Sequence, residues 1–442
     1  MKLTQLKQRI ASVMGITELN PMQVAMAHSQ AKSTILLAPT GSGKTLAFTL
    51  PMLVDCDETH TDKLQAVVIA PSRELVLQIN DVVRPLALPL RTAVCYGGHS
   101  MLDETRSLEA NPQIIIATPG RLLDHFTRGH LQVERLRMLV LDEYDKSLEL
   151  GFLDDMRRIV KNLGRIQRVI LTSATQLGDK MPRFLDFASP EVVDFTQGNN
   201  VVRGNIQYVK IPSATRDKLD TLLDLTASLP ADERAIIFVN HRESAQRVYD
   251  ALKKAGFPAG LYHGALDQQH REIALEMFNN GTTPILVATD LGSRGLDIAD
   301  VGSVIHYHLP LSAETWTHRN GRTARQGADG IVYTILSDDE SIPDFVEYER
   351  EYVPHDYRSN PPKATPLATL YFNAGKREKI SRGDIAGYLM QRGGLASDEV
   401  GRITVKDHYS LASIPADKVE STLAAIAPHR LKNQRVRVTP IA

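Results

Sequence analysis

Short apolar runs that alternate with helix-length amphipathic stretches constrain the fold of this chain more than any other feature. The runs in the first 340 residues are Thr34–Ala38, Ala66–Ala70, Gln113–Ala117, Met138–Leu141, Arg168–Leu171, Ala235–Val239, Pro284–Ala288, Gly302–His306 and Gly330–Ile335. Uninterrupted runs of this length between helices are typical of parallel strands that are buried on both faces of a doubly wound sheet. The sequence therefore predicts an α/β fold.

The spacing of these runs along the chain also predicts the domains. The series of runs is interrupted at Thr196–Ser213, where the sequence indicates a linker, and again over the acidic, proline-containing stretch Asp338–Lys363. The remaining residues predict the order β-α-β-β-α-β of a ferredoxin-like or RRM-like domain. We therefore expect two tandem doubly wound parallel-sheet domains, at 1–196 and 205–350, and then a small α+β domain at 364–442. The elements predicted in this last domain are Leu367–Phe372, Asp384–Gln391, Glu399–Lys406, Tyr409–Ile414, Asp417–Ile426 and Gln434–Thr439.

The charge of the chain is unevenly distributed. The total is −1, yet residues 364–442 hold 12 Lys and Arg against 7 Asp and Glu, whereas the first 363 residues hold 39 against 45. A basic tail on an acidic body favours a large anionic partner, of which nucleic acid is the commonest. An ordinary solvated basic face is the alternative.

Cysteine content and hydropathy exclude several other classes of protein. Cys56 and Cys95 are the two cysteines, too few for a disulfide framework or a four-ligand zinc site, and we expect both to be buried thiols. No apolar run reaches the ~18 residues of a membrane span, and the first 15 residues have no signal-peptide core. We expect a cytoplasmic protein without a membrane partner.

The stretch Ala38–Thr45 reads Ala-Pro-Thr-Gly-Ser-Gly-Lys-Thr between a predicted strand and a predicted helix. In such a loop, backbone N–H groups of Thr40, Gly41, Ser42 and Gly43 surround phosphates. Lys44 reaches the β- and γ-phosphate oxygens, and the Thr45 hydroxyl ligates Mg²⁺. The sequence therefore predicts a nucleotide site.

Two carboxylates follow the apolar run Met138–Leu141. In a nucleotide hydrolase, this position lets Asp142 hold the metal and lets Glu143 orient and deprotonate the attacking water. A solvated acidic helix start is the alternative interpretation.

Three arginines late in the second predicted sheet domain have helical spacing. Arg319, Arg322 and Arg325 fall at i, i+3 and i+6, which would place them on one face of a helix. An arginine directed at the γ-phosphate stabilises charge that develops only in the transition state. A basic stripe on a helix is otherwise usually a solvated face.

Together, these motifs resemble those of the DEAD-box RNA helicases of superfamily 2 over residues 15–340. The matching stretches, in the order of that family, are Pro21–Gln23, Ala38–Thr45, Pro71–Leu75, Gly97-Gly98, Thr118–Arg121, Asp142–Asp145, Ser173–Thr175, Ile237–Asn240, Tyr262–Gly264, Thr289-Asp290, Arg294–Asp297 and His318–Arg325.

The resemblance implies two RecA-like domains that bind ATP and Mg²⁺, hydrolyse ATP and contact RNA. It implies that Gln23 reads the adenine and that Asp297 contacts the ribose, while Arg322 and Arg325 reach the phosphates. It implies RNA contacts at Arg73, Gly98, Thr118, Gly120, Arg121 and Thr289. It also implies that the ATP site is coupled to the RNA site through Asp145, Ser173, Thr175 and His318.

Residues 364–442 are similar to the RRM-like domain of the DbpA type of bacterial DEAD-box helicase. The similarity rests on Leu370–Ile380 and Gly401–Tyr409. It implies docking on large-subunit ribosomal RNA through Lys376, Lys379, Arg402 and Lys406, with Tyr409 stacking on a base.

Two departures from the family pattern leave an alternative open. Tyr144 stands where the family has alanine, and no aromatic residue precedes Phe48 to stack on adenine. We expect a monomeric ATP-dependent RNA helicase that unwinds short duplexes locally and remodels ribosomal RNA during large-subunit assembly. The alternatives are a catalytically impaired, ATP-dependent RNA-binding clamp and a DNA translocase.

Overall fold

The computed structural model describes residues 2–39, 41–60, 62–178, 181–182, 184–185, 189–196, 205–230, 233–290, 301–324, 329–359, 362 and 365–441. These residues divide into two compact units, one ending at residue 196 and the other beginning at residue 205. Within the described part of the chain, no helix is long and apolar enough to cross a membrane.

A seven-stranded parallel sheet forms the centre of the first unit, in the order β3-β4-β2-β5-β6-β1-β7. Its strands are β1 (Ser33–Leu37), β2 (Ala66–Ile69), β3 (Thr92–Cys95), β4 (Ile114–Ala117), β5 (Met138–Leu141), β6 (Arg168–Ser173) and β7 (Glu191–Asp194). The helices are α1 (Leu3–Met14), α2 (Pro21–His28), α3 (Lys44–Asp55), α4 (Arg73–Ala87), α5 (Met101–Glu109), α6 (Pro119–Thr127), α7 (Tyr144–Glu149) and α8 (Leu153–Leu163).

Successive strand residues of this sheet point into two separate hydrophobic clusters. Leu36 and Val68 pack in the cluster that includes residues of α1, α2, α3 and α4, whereas Leu37 and Val67 pack in the cluster that includes residues of α6 and α8. Both faces of the strands are therefore buried, and this explains why the strands read as unbroken apolar runs.

The second unit begins with another seven-stranded parallel sheet, in the order β10-β11-β9-β12-β13-β8-β14. Its strands are β8 (Ile206–Ser213), β9 (Ala235–Val239), β10 (Ala259–Tyr262), β11 (Ile285–Thr289), β12 (Ser303–His306), β13 (Gly330–Ser337) and β14 (Arg350–Glu351). The helices are α9 (Leu219–Ser228), α10 (Arg242–Lys254), α11 (Gln268–Asn279) and α12 (Ala313–Asn320).

The rest of this unit is a four-stranded antiparallel sheet, in the order β16-β17-β15-β18. Its strands are β15 (Leu367–Phe372), β16 (Ile403–Val405), β17 (Ser410–Pro415) and β18 (Val438–Ile441), and its helices are α13 (Arg382–Gln391) and α14 (Val419–Ile426). This is the predicted β-α-β-β-α-β order, so the predicted fold class is confirmed.

The predicted linker at Thr196–Ser213 is wrong over its second half. Residues Ile206–Ser213 form β8, which pairs in parallel with both β13 and β14. The polar side chains of Gln207 and Lys210, together with Pro212, interrupt β8, so the strand does not read as an apolar run. Residues 197–204, the first half of the predicted linker, lie outside the described residues.

Candidate active site

The loop between β1 and α3 is built on two glycines with left-handed backbone. Gly41 has φ 81° and Gly43 has φ 89°, a region that residues with a Cβ adopt only at a cost. The Lys44 side chain is buried, and its ammonium donates to the carbonyl oxygens of Ala38 at 2.7 Å and Pro39 at 3.3 Å. Lys44 is thereby held on the inner side of the loop.

Helix α2 lies directly against this loop. A capping box starts the helix, in which the Gln23 amide N–H donates to Asn20 and the Asn20 N–H donates to Oε1 of Gln23. Asn20 also donates to the Ser42 carbonyl at 3.1 Å, and a Cβ on Gly43 would lie 2.7 Å from Nε2 of Gln23. The glycine at 43 is therefore favoured by its φ, and a side chain there would also displace the end of Gln23.

Two buried carboxylates follow β5 at the carboxyl edge of the same sheet. Oδ1 of Asp142 accepts a 2.5 Å hydrogen bond from the Thr172 hydroxyl, and the Glu143 backbone N–H donates to the same hydroxyl oxygen at 3.1 Å. Burial and the neighbouring Glu143 raise the pKa of Asp142 to about 6. Glu143 has φ 44°, and its Oε2 is buried without a hydrogen-bond partner among the described residues.

The Tyr144 side chain belongs to the hydrophobic cluster under the sheet. It is fully buried in that cluster, which also contains Leu141 and Met156. Its hydroxyl has no partner among the described residues, and burial raises its pKa to about 12. The large side chain is therefore accommodated by packing.

Asp145 connects the carboxylate turn to the end of β6. Its Oδ2 accepts hydrogen bonds from the Ala174 N–H at 3.1 Å and the Thr175 hydroxyl at 3.2 Å. Ser173 does not contact Asp145 directly, because its hydroxyl donates to the Thr175 carbonyl at 2.6 Å. A shift of the 173–175 turn must therefore change the contacts of Asp145.

The predicted RNA contacts of the first unit lie at the carboxyl ends of β2, β3 and β4. The Arg73 guanidinium stacks on the Tyr96 ring at 4.7 Å, and a Cβ on Gly98 would lie 3.6 Å from an Arg73 nitrogen. Thr118 precedes α6 and donates its N–H to the Cys95 carbonyl, with Gly120 in the first turn of that helix.

A buried glutamate, which the sequence analysis did not identify, organises this edge. Glu104 of α5 is 0% exposed and accepts hydrogen bonds from the Tyr96 N–H at 2.9 Å, His125 at 2.8 Å, His99 at 3.2 Å and Arg121 at 3.2 Å. Burial disfavours its charge, but these donors outweigh it and lower the pKa to about 2. Arg121 is therefore held by an ion pair beside Thr118 and Gly120.

The helical arginine stripe expected in the second unit does not form. Helix α12 ends at Asn320 with Gly321 as its C-cap, and Arg322 lies beyond its C-terminus. Arg319 is 1% exposed, and it donates to both oxygens of Asp290 at 2.7 Å, to Asn240 Oδ1 at 2.7 Å and to the His308 carbonyl at 2.7 Å. Arg319 is thus a core residue of its own domain.

Other predicted residues of the second unit are also buried. Thr289 ends β11 beside Asp290, and His318 and Arg322 are 9% and 3% exposed. Three predicted site residues lie outside the described residues: Thr40 of the first unit, Asp297 and Arg325.

His306 beside Arg319 makes the stability of the second unit depend on pH. Burial and the Arg319 charge lower the pKa of His306 to about 3, below its ordinary 6.5. The unfolded chain therefore binds more protons between those values, and we expect the free energy of unfolding to fall as pH falls below 6.5, by up to about 1.4 kcal/mol per pH unit for this group. Urea unfolding followed by Trp316 fluorescence would measure the slope.

The matched variants are His306→Gln and His355→Gln. A glutamine side chain at this position can still donate to Asn320, which His306 contacts at 2.8 Å, but it cannot be protonated, so the pH slope should decrease by about one proton. His355 is exposed, and its replacement should leave the slope unchanged. Equal slopes for His306→Gln and the wild-type protein would contradict this assignment.

The C-terminal sheet divides the predicted RNA-binding residues into two groups. Lys376 and Lys379 are exposed in the loop between β15 and α13. Arg402, Lys406 and Tyr409 instead contact helix α11 of the neighbouring parallel sheet, and Tyr409 is 7% exposed.

The chain has two parallel sheets in series, and the first carries a phosphate-binding loop and paired carboxylates at its carboxyl edge. These features define the class of RecA-like helicase cores. Three family models match the chain: DEAD/DEAH box helicase at residues 20–181, helicase conserved C-terminal domain at 217–327, and DbpA RNA binding domain at 369–440. The chain belongs to the DEAD-box helicase family, in its DbpA type.

Relatives with known names agree with this assignment. The chain is 29% identical to the ATP-dependent RNA helicase DbpA of Bacillus subtilis, covering 96% of this chain and 95% of that relative. It is 34% identical to the DEAD-box ATP-dependent RNA helicase RhpA of Helicobacter pylori, covering 73% of this chain and 66% of that relative.

Solved structures show the same fold. S. cerevisiae Dbp5 bound to RNA and ADP BeF3 has a TM-score of 0.69 and 26% identity, covering 80% of this chain and 95% of that one. Mss116p bound to ssRNA and AMP-PNP has a TM-score of 0.69 and 25% identity, covering 79% and 78%.

The residues at the carboxyl edge fit a metal-bound nucleotide. Glu143 Oε2 is buried without a hydrogen-bond partner in the described part of the chain, and the buried Asp142 carboxylate lies 2.5 Å from a hydroxyl. A bound cation and its water would satisfy these polar groups. Thr172, which holds both, was missed in the sequence because a threonine inside an apolar strand resembles an ordinary strand residue.

Proposed function

We propose that this protein uses ATP hydrolysis to unwind short RNA duplexes locally, and that structured large-subunit ribosomal RNA is its natural target. The observation that carries the proposal is the hydrogen-bonded connection from Asp142 and Glu143, through Thr172, to the 173–175 turn that contacts Asp145. Events at the phosphates and events at the RNA can be coupled through one strand end.

Hydrolysis requires a positioned water and an accepted proton. Glu143 takes the proton as the water oxygen attacks the γ-phosphorus and the bond to ADP breaks. Lys44 and the loop N–H groups hold the phosphates, and Gln23 contacts the adenine. Mg²⁺, held by Thr45 and Asp142, would neutralise phosphate charge.

Closure of the two RecA-like domains, 1–196 and 205–350, would complete the site. Arg322 and Arg325 then stabilise the phosphate charge, Asp297 contacts the ribose, and His318 takes part in the coupling. These roles are carried over from the family motifs that the residues match.

RNA contacts by the sheet edges should not depend on base identity. Arg73, Gly98, Thr118, Gly120 and Arg121 offer a guanidinium or backbone N–H groups to phosphates, with Thr289 in the second domain. Such contacts position the strand and weaken with salt, because counterions are released on binding.

The C-terminal domain at 364–442 then selects the RNA target. Two adjacent loops of this domain form a basic loop surface, defined by the exposed residues Lys376, Lys379, Arg430, Lys432, Arg435 and Arg437. The loops are joined by hydrogen bonds from Lys432 to the Lys379 carbonyl at 2.8 Å and from Gln434 to the Glu378 carbonyl at 2.9 Å. Clustered exposed cations of this kind suit an RNA backbone.

Reversing two of these charges should remove target preference. We expect Lys376→Glu/Lys379→Glu to weaken binding of ribosomal RNA by about tenfold or more, because two phosphate contacts become repulsive. Stimulation of ATP hydrolysis by generic RNA at saturation should persist. The control is Arg392→Glu, which reverses one charge directly after the C-terminus of α13. The change in charge per substituted residue is the same. Equal losses in the Arg392 variant and the double variant would contradict a local RNA surface.

The function itself is tested by strand displacement with ATP on duplexes of increasing length, with and without attached ribosomal RNA. Short duplexes should separate and long ones should not, with a higher rate for those attached to ribosomal RNA. Separation independent of length would indicate translocation, and RNA binding without any separation would favour a clamp.

A further inference from the structure

Three side chains that can bind a metal meet in the interior of the first unit, next to the predicted RNA contacts. Cys95 is the last residue of β3, Glu104 lies on α5 and His125 lies on α6. All three residues are 0% exposed. The Cys95 sulfur, a Glu104 carboxylate oxygen and a His125 ring nitrogen all lie within 4.8 Å of one another. Three separate elements of the fold therefore bring these atoms together.

The chemistry of this cluster matches that of a zinc site. Thiolate, imidazole and carboxylate are the donors that Zn²⁺ takes in proteins, whereas Mg²⁺ and Ca²⁺ prefer oxygen donors. Donor atoms around a tetrahedral zinc ion stand about 3.5 Å apart, so side-chain shifts of about 1 Å would produce that geometry here. The negative charges of one thiolate and one carboxylate balance the ion, so the filled site adds no net charge to the interior.

His130 supplies the outer contact that a zinc-bound histidine requires. Nδ1 of His125 lies 3.0 Å from Nδ1 of His130. An ionised Glu104 can only accept, so Nε2 of His125 carries the proton in the metal-free protein. When Nε2 binds a metal, that proton moves to Nδ1, where His130 accepts it. His130 is half-buried, and its own proton is then carried on its Nε2.

The Glu104 oxygen that faces His125 also holds Arg121. Oε2 of Glu104 accepts from His125 at 2.8 Å and from Arg121 at 3.2 Å, whereas Oε1 accepts from the Tyr96 N–H and from His99. A metal bound to Oε2 and to His125 replaces both donors at that oxygen. Of its two oxygen partners, Arg121 would then keep only the His99 carbonyl, at 3.2 Å.

We propose that Cys95, Glu104 and His125 form a Zn²⁺ site, and that zinc weakens the Arg121 contact to RNA by taking the carboxylate from this arginine. His130 is a positioning residue. Burial and the Glu104 charge raise the pKa of the Cys95 thiol well above its ordinary value, so the metal-free protein holds the thiol proton, which zinc displaces into solvent. The effect on RNA rests on the proposed function, whereas the metal site does not.

Cobalt titration of the full, metal-free chain tests the site. Co²⁺ occupies zinc sites, and its bond to a thiolate gives an intense sulfur-to-metal charge-transfer absorption. We expect one equivalent of Co²⁺ to produce this absorption and one equivalent of Zn²⁺ to remove it. The matched variants are Cys95→Ala and Cys56→Ala, because both cysteines are buried thiols of the first unit. The absorption should be lost only in Cys95→Ala. Its retention in that variant, or its absence from the wild-type protein, would overturn the site.

The outer histidine provides an independent measurement. His130→Ala removes the acceptor for Nδ1 of His125 and should weaken Co²⁺ binding by about tenfold. His130→Asn should restore the affinity, because the asparagine oxygen can accept the same proton. Wild-type affinity in the alanine variant, or no recovery in the asparagine variant, would contradict the positioning role of His130.

The effect on RNA is measured as the concentration of generic single-stranded RNA that half-saturates ATP hydrolysis in excess Mg²⁺. We expect one equivalent of Zn²⁺ to raise this concentration by about fivefold in the wild-type protein and to leave it unchanged in Cys95→Ala. Without zinc, the two proteins should agree within about twofold, because the thiol takes no part in hydrolysis, and this agreement also shows that the variant is folded.

Zinc that acts at any other site would affect both proteins alike, so only the difference between them reports on this site. Equal responses of the two proteins to zinc would overturn the coupling to Arg121. A wild-type protein that shows the cobalt absorption but no stimulation of hydrolysis by RNA would support the metal site while the proposed function fails.

Discussion

Glu143→Gln is expected to reduce RNA-stimulated ATP hydrolysis by about 10²-fold or more, with affinities for nucleotide and RNA nearly unchanged. Glutamine keeps the size of the side chain but cannot accept a proton from water. Thr172 accepts from the Glu143 backbone N–H, and the Glu143 Oε2 has no hydrogen-bond partner among the described residues. The replacement therefore removes the base without removing an observed hydrogen bond of Oε2. Steady-state turnover with saturating RNA, together with equilibrium binding of nucleotide, measures the effect.

Glu149→Gln is the matched control for this variant. Glu149 is exposed at the end of α7, the helix that Glu143 directly precedes, and the chemical change from Glu to Gln is identical. We expect its turnover to stay close to the wild-type value. Turnover of Glu143→Gln within tenfold of wild type would exclude Glu143 as the base.

Arg319→Met is expected to lower the free energy of unfolding by about 3–5 kcal/mol, because it removes the buried guanidinium from its ion pair with Asp290. Methionine retains much of the apolar volume but removes hydrogen bonds to Asp290, Asn240 and the His308 carbonyl. Trp316 lies on the same helix and stacks on His306 at 4.5 Å, so its fluorescence in a urea titration reports the unfolding.

An exposed arginine of the same unit provides the comparison. Arg216→Met should change the free energy of unfolding by no more than about 0.5 kcal/mol. A similarly small effect at Arg319 would return that residue to the group of catalytic candidates, since it would then be dispensable for the fold.

The position of Arg319 could not be predicted from the sequence. Spacing alone placed Arg319, Arg322 and Arg325 on one helical face, but Gly321 ends the helix after the first of them. The family motif assigned roles only to the latter two, and it is consistent with Arg319 as a structural residue. Helical spacing was therefore a weaker guide than the order of the motifs.

The apolar strands were predictable because burial on both faces leaves a continuous hydrophobic signal. The four-residue strands β3 and β10 were missed because both lie at sheet edges and contain small or polar residues. The β-α-β-β-α-β order was predictable from periodicity.

Long-range polar contacts had no comparable signal. Glu104 gathers donors from Tyr96, His99, Arg121 and His125, and neither its spacing nor its neighbours identify it. Likewise, Arg402 and Lys406 indicated RNA by charge alone, because the sequence does not show that α11 presents carboxylates to them. Such pairings follow from tertiary structure.

The most direct test of the central claim is steady-state ATP hydrolysis by the full chain without nucleic acid, with generic single-stranded RNA, with DNA and with total ribosomal RNA. We predict hydrolysis that depends on RNA, is highest with ribosomal RNA, and is lost in Glu143→Gln. Equal stimulation by any RNA would retain the helicase and exclude the ribosomal target. Stimulation by DNA, or RNA binding with no hydrolysis in any condition, would contradict the account.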